Sequence, residues 1–366
     1  MRKRQALVAM SGGVDSAVAA LLTVKAGYEA HGVTMSLCQA TGEGTCGGSR
    51  DADDARAIAD RLDMTHEVLH ATDTFDREVK ASFVAAYERG ETPNPCILCN
   101  RQLKFGKLLT YAHSLGMDTL VTGHYARVEW DADRGEYRLK RARALSKDQS
   151  YVLYFLTQEQ LAHVYFPLGE VSSKDEVRAI ATEHGFCSAS RPDSQDICFI
   201  PDGDYGAFIR SYTGREYEEG DFLTVDGRVV GRHKGLIHYT VGQRKGLGVA
   251  LGVPMYVKHT SVVDNTVTLA SNEALFESEC LVREMCYTAT RAPLSPFRAE
   301  VKPRYKAPAA PATVEPLPNG YARICFDTPQ RALTPGQAAV LYDGDAVLGG
   351  GIIERVGEMD NTTKSK

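Results

Sequence analysis

Apolar positions in the first half of the chain alternate between short unbroken runs and stretches with helical spacing. QALVAM is a brief apolar run closed by Gly-Gly. SAVAALLTVKAG follows it as a helix that stops at Gly27. EAHGVTMSL predicts a second strand. SRDADDARAIADRLD predicts an amphipathic helix whose Ala55, Ile58, Ala59 and Leu62 share a face and whose start is acidic. THEVLHA predicts a third strand, and helices are predicted over DTFDREVKASFVAAYERG and over RQLKFGKLLTYAHSLG, with MDTLVTGHYA a buried strand ending in a loop. Alternation of this kind predicts an α/β fold with a doubly wound parallel sheet and a ligand at the carboxyl ends of its strands.

From about Gly203 the texture changes. Glycine becomes more frequent, helical periodicity fades, and short β-type runs such as DFLTVDGRVVG and GVPMYVKHTSVVDNTVTLA appear. Beyond Ala274, FRAEVKPRYK, ATVEPLPNGYARICFD and GQAAVLYDGDAVLGGGIIERV continue the β pattern. The expected organisation is a nucleotide-binding domain over 1–204, a small β-rich domain over 205–273 and a barrel-like domain over 274–366.

Length, 366 residues, fits several domains, and the hydrophobic content of 43% with 24% charged residues fits a globular protein. No apolar run is long enough to span a membrane, and the basic N-terminus reads as a first strand, not a signal peptide. A cytoplasmic location follows as an expectation, with the nine cysteines as thiols or metal ligands. The net charge of −5 does not announce nucleic acid, so such binding rests on local basic stretches. RLKRARALSK holds five Lys/Arg, and GRHKG, GQRKG and VKPRYK add more. The final GEMDNTTKSK reads as a frayed tail.

Two stretches carry chemistry. SGGVDS lies between the first strand and the first helix. Gly12 and Gly13 allow close approach of backbone N–H groups to an anion, the helix N-terminus points to the same spot, and Ser11 and Ser16 bring hydroxyls. Asp15 is out of place beside a phosphate unless it binds a metal ion or orients the loop. Neither G-x-x-x-x-G-K-[ST] nor G-x-G-x-x-G is present. TPNPCILCNRQLKF holds Cys96 and Cys99, a spacing open to a redox couple, half a zinc site, part of an iron–sulfur site, or a catalytic thiol beside a bystander.

SGGVDS resembles the PP-loop of ATP pyrophosphatases. Together with TPNPCILCNRQLKF, LVTGHYAR, LSKDQSYVLYFL, RPDSQDICFI, HYTVGQRKGLG and VKPRYK, it resembles the bacterial tRNA-specific 2-thiouridylase family over nearly the whole chain. The resemblance implies ATP-dependent replacement of O2 of the wobble uridine, position 34, by sulfur, with ATP and Mg²⁺ as cofactors and with tRNA and a sulfur donor as partners. Ala9, Met10, Ser11, Gly12, Gly13, Val14, Asp15 and Ser16, with Met35 and Gly123, would hold ATP. Asn94, Pro95, His124, Lys147, Asp148, Gln149, Arg304, Tyr305 and Gln337 would meet tRNA. A PP-loop ligase or amidotransferase acting on a small molecule is the alternative.

The resemblance also assigns the thiols. Cys99 matches the catalytic nucleophile, and Cys198 matches a cysteine that carries a persulfide. Cys96 departs from the common Asn-Pro-Asp, putting a thiol where the family often has a carboxylate. The three cysteines Cys96, Cys99 and Cys198 therefore suggest a [4Fe-4S] cluster with one open iron. Cys38, Cys187, Cys280, Cys286 and Cys325 read as small buried hydrophobes, and Cys46 stays unassigned.

Overall fold

The computed structural model of the protein describes residues 4–38, 49–190, 197–249 and 252–357. Cys46 and the Arg191–Asp196 part of RPDSQDICFI lie outside the described residues. The strands, in chain order, are β1 (Gln5–Ala9), β2 (Glu29–Ser36), β3 (Thr65–His70), β4 (Thr119–Val121), β5 (Ala126–Asp131), β6 (Glu136–Arg141) and β7 (Val164–Tyr165). They continue with β8 (Gly220–Thr224), β9 (Val229–His233), β10 (Tyr256–Ser261), β11 (Thr266–Ala270) and β12 (Phe276–Tyr287). The last are β13 (Phe297–Lys302), β14 (Ala310–Leu317), β15 (Tyr321–Arg331), β16 (Ala338–Asp343) and β17 (Ala346–Val356).

The predicted parallel sheet forms with strand order β3-β2-β1-β4-β7. Successive residues of β1 serve opposite faces, as a strand's period of two requires. Ala6 and Val8 pack with the helix Val14–Lys25 and with Ile58, whereas Leu7 packs with Phe105, Leu108 and Leu120 on the other side. Chain order reverses at β1, between β2 and β4, and the loops that follow these three strands open at one edge.

The β-rich remainder is also as expected in class. β8 to β11 form a mixed four-stranded sheet over Phe222, Tyr239, Val257 and Leu269. β12 to β17 form an antiparallel sheet that closes through a β12–β17 pairing. Two features were not legible in the sequence. The segment containing RLKRAR is half of a hairpin, β5–β6, that extends the barrel sheet at Ala346↔Lys140. In addition, Val340, Tyr342 and Val347 of the barrel share one buried cluster with Leu7, Leu120 and Tyr151 of the first sheet. At ~1.5–3 kcal/mol per fully buried large aliphatic or aromatic side chain, this shared cluster fixes the barrel against the sheet.

Candidate active site

The loop after β1 is tied down by its own side chains. Ser16 Oγ accepts from Ser11 N–H at 3.1 Å and donates to the Gly13 carbonyl at 2.9 Å, so this hydroxyl proton holds the loop instead of facing outward. Gly12 has φ +70°, and a Cβ there would lie 2.6 Å from the Asp51 carbonyl oxygen, so both conformation and space demand glycine. Met10 and Val14 are buried in the core and have only backbone to offer a phosphate.

Asp15 orients the loop. Its carboxylate accepts from Tyr125 Oη at 2.6 Å and from Lys174 Nζ at 2.8 Å on both oxygens. Lys174 is missing from the sequence assignment. It opens the helix Lys174–Glu183, capped by Ser173, and sets a nearly buried ammonium beside the glycine loop. The signal was the Ser-Ser-Lys-Asp-Glu capping pattern, but only the fold brings position 174 to position 15. Gly123 comes from the loop after β4, and its absent Cβ would lie 3.0 Å from both Asp15 C and Ser16 N. The two loops at the switch point therefore touch through backbone.

The cysteine helix begins earlier than the periodicity indicated. Helix starts at Pro95, so Cys96 and Cys99 lie within it and not ahead of it. Asn94 is the N-cap, its Oδ1 accepting from Cys96 N–H at 3.1 Å, and Pro95 fills the first helical position, where its missing donor costs nothing. From Cys99 to Leu108 the helix takes π-type hydrogen bonding, which often marks functional segments. Asn94 and Pro95 thus build the helix start.

Cys99 and Cys198 pack against the same apolar cluster, formed by Leu37, Phe75, Leu103, Phe199 and Ile200. Cys38, half-buried, packs against that cluster as well; of the cysteines read as buried hydrophobes, Cys280 is buried, whereas Cys187 is exposed and does not fit that reading. Cys96 is exposed and couples electrically to Tyr305 of the barrel, whose hydroxyl is pushed upward by burial first, then by Asp148 and Cys96. Among the described residues, no group of three or more His, Cys, Asp or Glu side chains is disposed to hold a metal ion. Cys99 and Cys198 lie on the apolar cluster, and Cys96, one helical turn before Cys99, is exposed.

Several residues assigned to tRNA do structural work. His124 is buried, its Nδ1 lies 2.7 Å from Thr122 Oγ1, and its ring packs between Phe105 and Phe166. Burial, helped by Lys104, holds it well below the ordinary histidine range, so it is neutral and does not present a cation to RNA. Asp148 is buried and accepts from Ala142 N–H, Ser150 N–H and Ser150 Oγ at 3.1, 3.2 and 2.9 Å. Gln149 Oε1 accepts from Tyr125 N–H at 3.0 Å, anchoring the chain after Gly123. Gln337 Nε2 donates to the Thr92 carbonyl at 2.6 Å, and Arg304 donates to the carbonyls of Arg331 and Ala332. Lys147 and Tyr305 keep exposed surface.

The local basic stretches divide likewise. On the β6 hairpin, Arg138 pairs with Asp131, Lys140 with Glu129 and Arg143 with Glu170, while Arg141 stacks on Tyr342. Arg232 of GRHKG faces Glu219 and Asp221. Arg138, Lys140, Arg143 and Arg232 thus face carboxylates, whereas Arg141 Nε and Nη2 are buried without a hydrogen-bond partner. Arg244 and Lys245 of GQRKG are exposed and, among the described residues, have no acidic partner. Lys302 of VKPRYK lies over the rings of Tyr151 and Tyr305.

A doubly wound sheet with a Ser-Gly-Gly loop at its switch point is the arrangement of the PP-loop ATP pyrophosphatase class, here followed by a closed antiparallel barrel. Three family profiles match along the chain: the tRNA methyl transferase HUP domain over residues 4–202, the tRNA methyl transferase PRC-barrel domain over 206–271, and the aminomethyltransferase beta-barrel domain over 277–353. Curated relatives match end to end. The tRNA-specific 2-thiouridylase MnmA of Acetivibrio thermocellus is 46% identical over 97% of this chain and 100% of its own. That of Moorella thermoacetica is 48% identical over 96% and 100%. The chain belongs to the tRNA-specific 2-thiouridylase family. Among solved structures, the U34-tRNA thiolase NcsA from Methanococcus maripaludis with its [4Fe-4S] cluster covers 58% of this chain and 71% of its own at 15% identity and a TM-score of 0.35. A likeness of that degree transfers neither ligand nor mechanism.

Proposed function

We propose that the protein converts the wobble uridine of tRNA to 2-thiouridine, with ATP activating O2. The observation that carries this reading is the position of Met35. It ends β2 beside the Ser-Gly-Gly loop and packs against the cluster that also carries Cys99 and Cys198, so the phosphate loop and the two thiols serve one space.

The chemistry balances with those groups. Uridine O2 attacks the α-phosphorus and pyrophosphate leaves. The terminal sulfur of a Cys198 persulfide, loaded by a donor, attacks C2, and AMP departs with the former O2. Cys99 thiolate then attacks Cys198 Sγ, releasing 2-thiouridine and leaving a Cys99–Cys198 disulfide that a thiol reductant reopens with two electrons. The glycine loop and helix N-terminus hold the phosphates, so the first step is driven by positioning and charge. Mg²⁺ neutralises phosphate charge when bound, and it comes with ATP, since Asp15 is engaged by Lys174 and Tyr125. The target base lies in a loop and must leave its stack to enter the site.

The test is pyrophosphate release with and without unmodified tRNA, with nucleoside mass analysis for 2-thiouridine. tRNA-stimulated release with appearance of 2-thiouridine supports the reading. Release indifferent to tRNA, with an adenylated small molecule as product, replaces it with the ligase alternative.

A further inference from the structure

The segment that leads into the cysteine helix is held by the other two domains. Thr92 lies two positions before the Asn94 cap. Its N–H donates to the Pro335 carbonyl at 2.8 Å, and its carbonyl accepts from Gln337 Nε2 at 2.6 Å, both on the turn before β16. Thr92 Oγ1 lies 3.4 Å from Thr240 Oγ1 of the central domain. One residue earlier, Glu91 is clasped by Arg283 of β12, with N–O distances of 3.1 and 3.3 Å, and by Arg89 at 2.8 Å. The Gly90 carbonyl accepts from Thr260 Oγ1 of β10 at 3.3 Å. A Cβ at position 336 would lie 2.7 Å from Thr92 N, so the barrel turn meets the segment without space between them.

A three-residue strap gripped on both sides fixes where the helix begins. Since Asn94 caps Cys96 directly, the strap sets the position of the thiols along the helix axis. We propose that Gln337 and Arg283 are positioning residues for the cysteine helix, through Thr92 and Glu91. The barrel thereby makes placement of Cys99 depend on its own seating. Gln337 is then more than an RNA contact, because its amide already ends on the strap carbonyl that precedes the nucleophile.

This inference deepens the proposed thiolation, and its test has a readout that does not depend on that reaction. Gln337→Ala removes the donor to Thr92, and Arg283→Ala removes the barrel's share of the Glu91 clasp. In the full-length protein without tRNA, each variant should change the alkylation rate of Cys99, measured by mass spectrometry at Cys99 with iodoacetamide, by at least about threefold. Thiolation should lose roughly tenfold or more in kcat, with KM for tRNA within about twofold, following the steep dependence of rate on placement. Unchanged Cys99 alkylation in both variants overturns the proposal, and so does a rise in KM for tRNA at constant kcat, which would make Gln337 a simple RNA contact. If one variant does not fold, the other decides. Altered alkylation in a protein that never thiolates tRNA upholds the strap and refutes the assigned reaction.

Discussion

Replacing Gly123 by alanine places one methyl group where the two switch-point loops touch. The new Cβ would lie 3.0 Å from Asp15 C and Ser16 N and 3.2 Å from Asp15 Cβ, against 3.4 Å or more for an ordinary contact. Two of the three atoms are backbone of the helix start, so no side chain can rotate away, and the loops must separate by about 0.4 Å if contacts are to reach their usual range. Overpacking of this kind costs ~1–3 kcal/mol. For a domain the size of residues 4–202, that lowers Tm by roughly 2–12 °C. The same displacement moves the helix N-terminus and Ser16 relative to the phosphates. A misplacement of 1 Å can cost about a hundredfold, so a few tenths of an ångström should cost roughly threefold to tenfold in kcat/KM for ATP. The assays are a thermal melt and tRNA-stimulated pyrophosphate release across ATP concentrations. A Gly123→Ala protein that melts with the parent and keeps its kcat/KM for ATP would refute the idea that glycine is required by this close approach.

Other substitutions separate the remaining roles. Lys174→Met should cost ~1 kcal/mol of stability, a value kept small because Asp15 is partly exposed, and should weaken pyrophosphate release more than tRNA binding; melts and a gel-shift titration measure the two. His124 is neutral in the fold because burial lowers its affinity for protons, whereas the unfolded chain protonates it near pH 6.5; its contribution is whole above that pH and is lost as pH falls below it. The Tm of the parent should therefore fall between pH 7 and pH 5 more steeply than that of His124→Gln. For RNA affinity, Arg244→Ala and Lys245→Ala should each reduce the slope of log K against log salt by about one, while Arg138→Ala and Lys140→Ala, already paired, should leave it nearly unchanged. After anaerobic treatment with iron and sulfide, thiolation from a persulfide donor at unchanged rate, with iron well below one cluster per chain, is what the persulfide route requires; stoichiometric cluster content tied to activity would instead establish Cys96, Cys99 and Cys198 as a ligand set.

The sequence by itself determined the local and periodic features. Runs such as QALVAM and MDTLVTGHYA have the composition of buried parallel strands, and Ser-Gly-Gly lies between a strand and a helix, so the sheet, its switch point and the turn at it were legible. The start of the cysteine helix was legible too, in the Asn cap and the proline after it, although periodicity pointed further along the chain. What a cation or a thiol faces is a different matter, because it depends on residues far away in sequence. Only the tertiary structure decided that RLKRAR is a hairpin whose charges end on Asp131, Glu129 and Glu170. Packing alone placed Lys174 on Asp15, buried His124 between two phenylalanines and sent Gln337 to Thr92. It also brought Cys99 and Cys198 onto one apolar cluster: spacing can place two thiols on one helix, but the place of a third, roughly a hundred residues on, is set by how the chain packs between them.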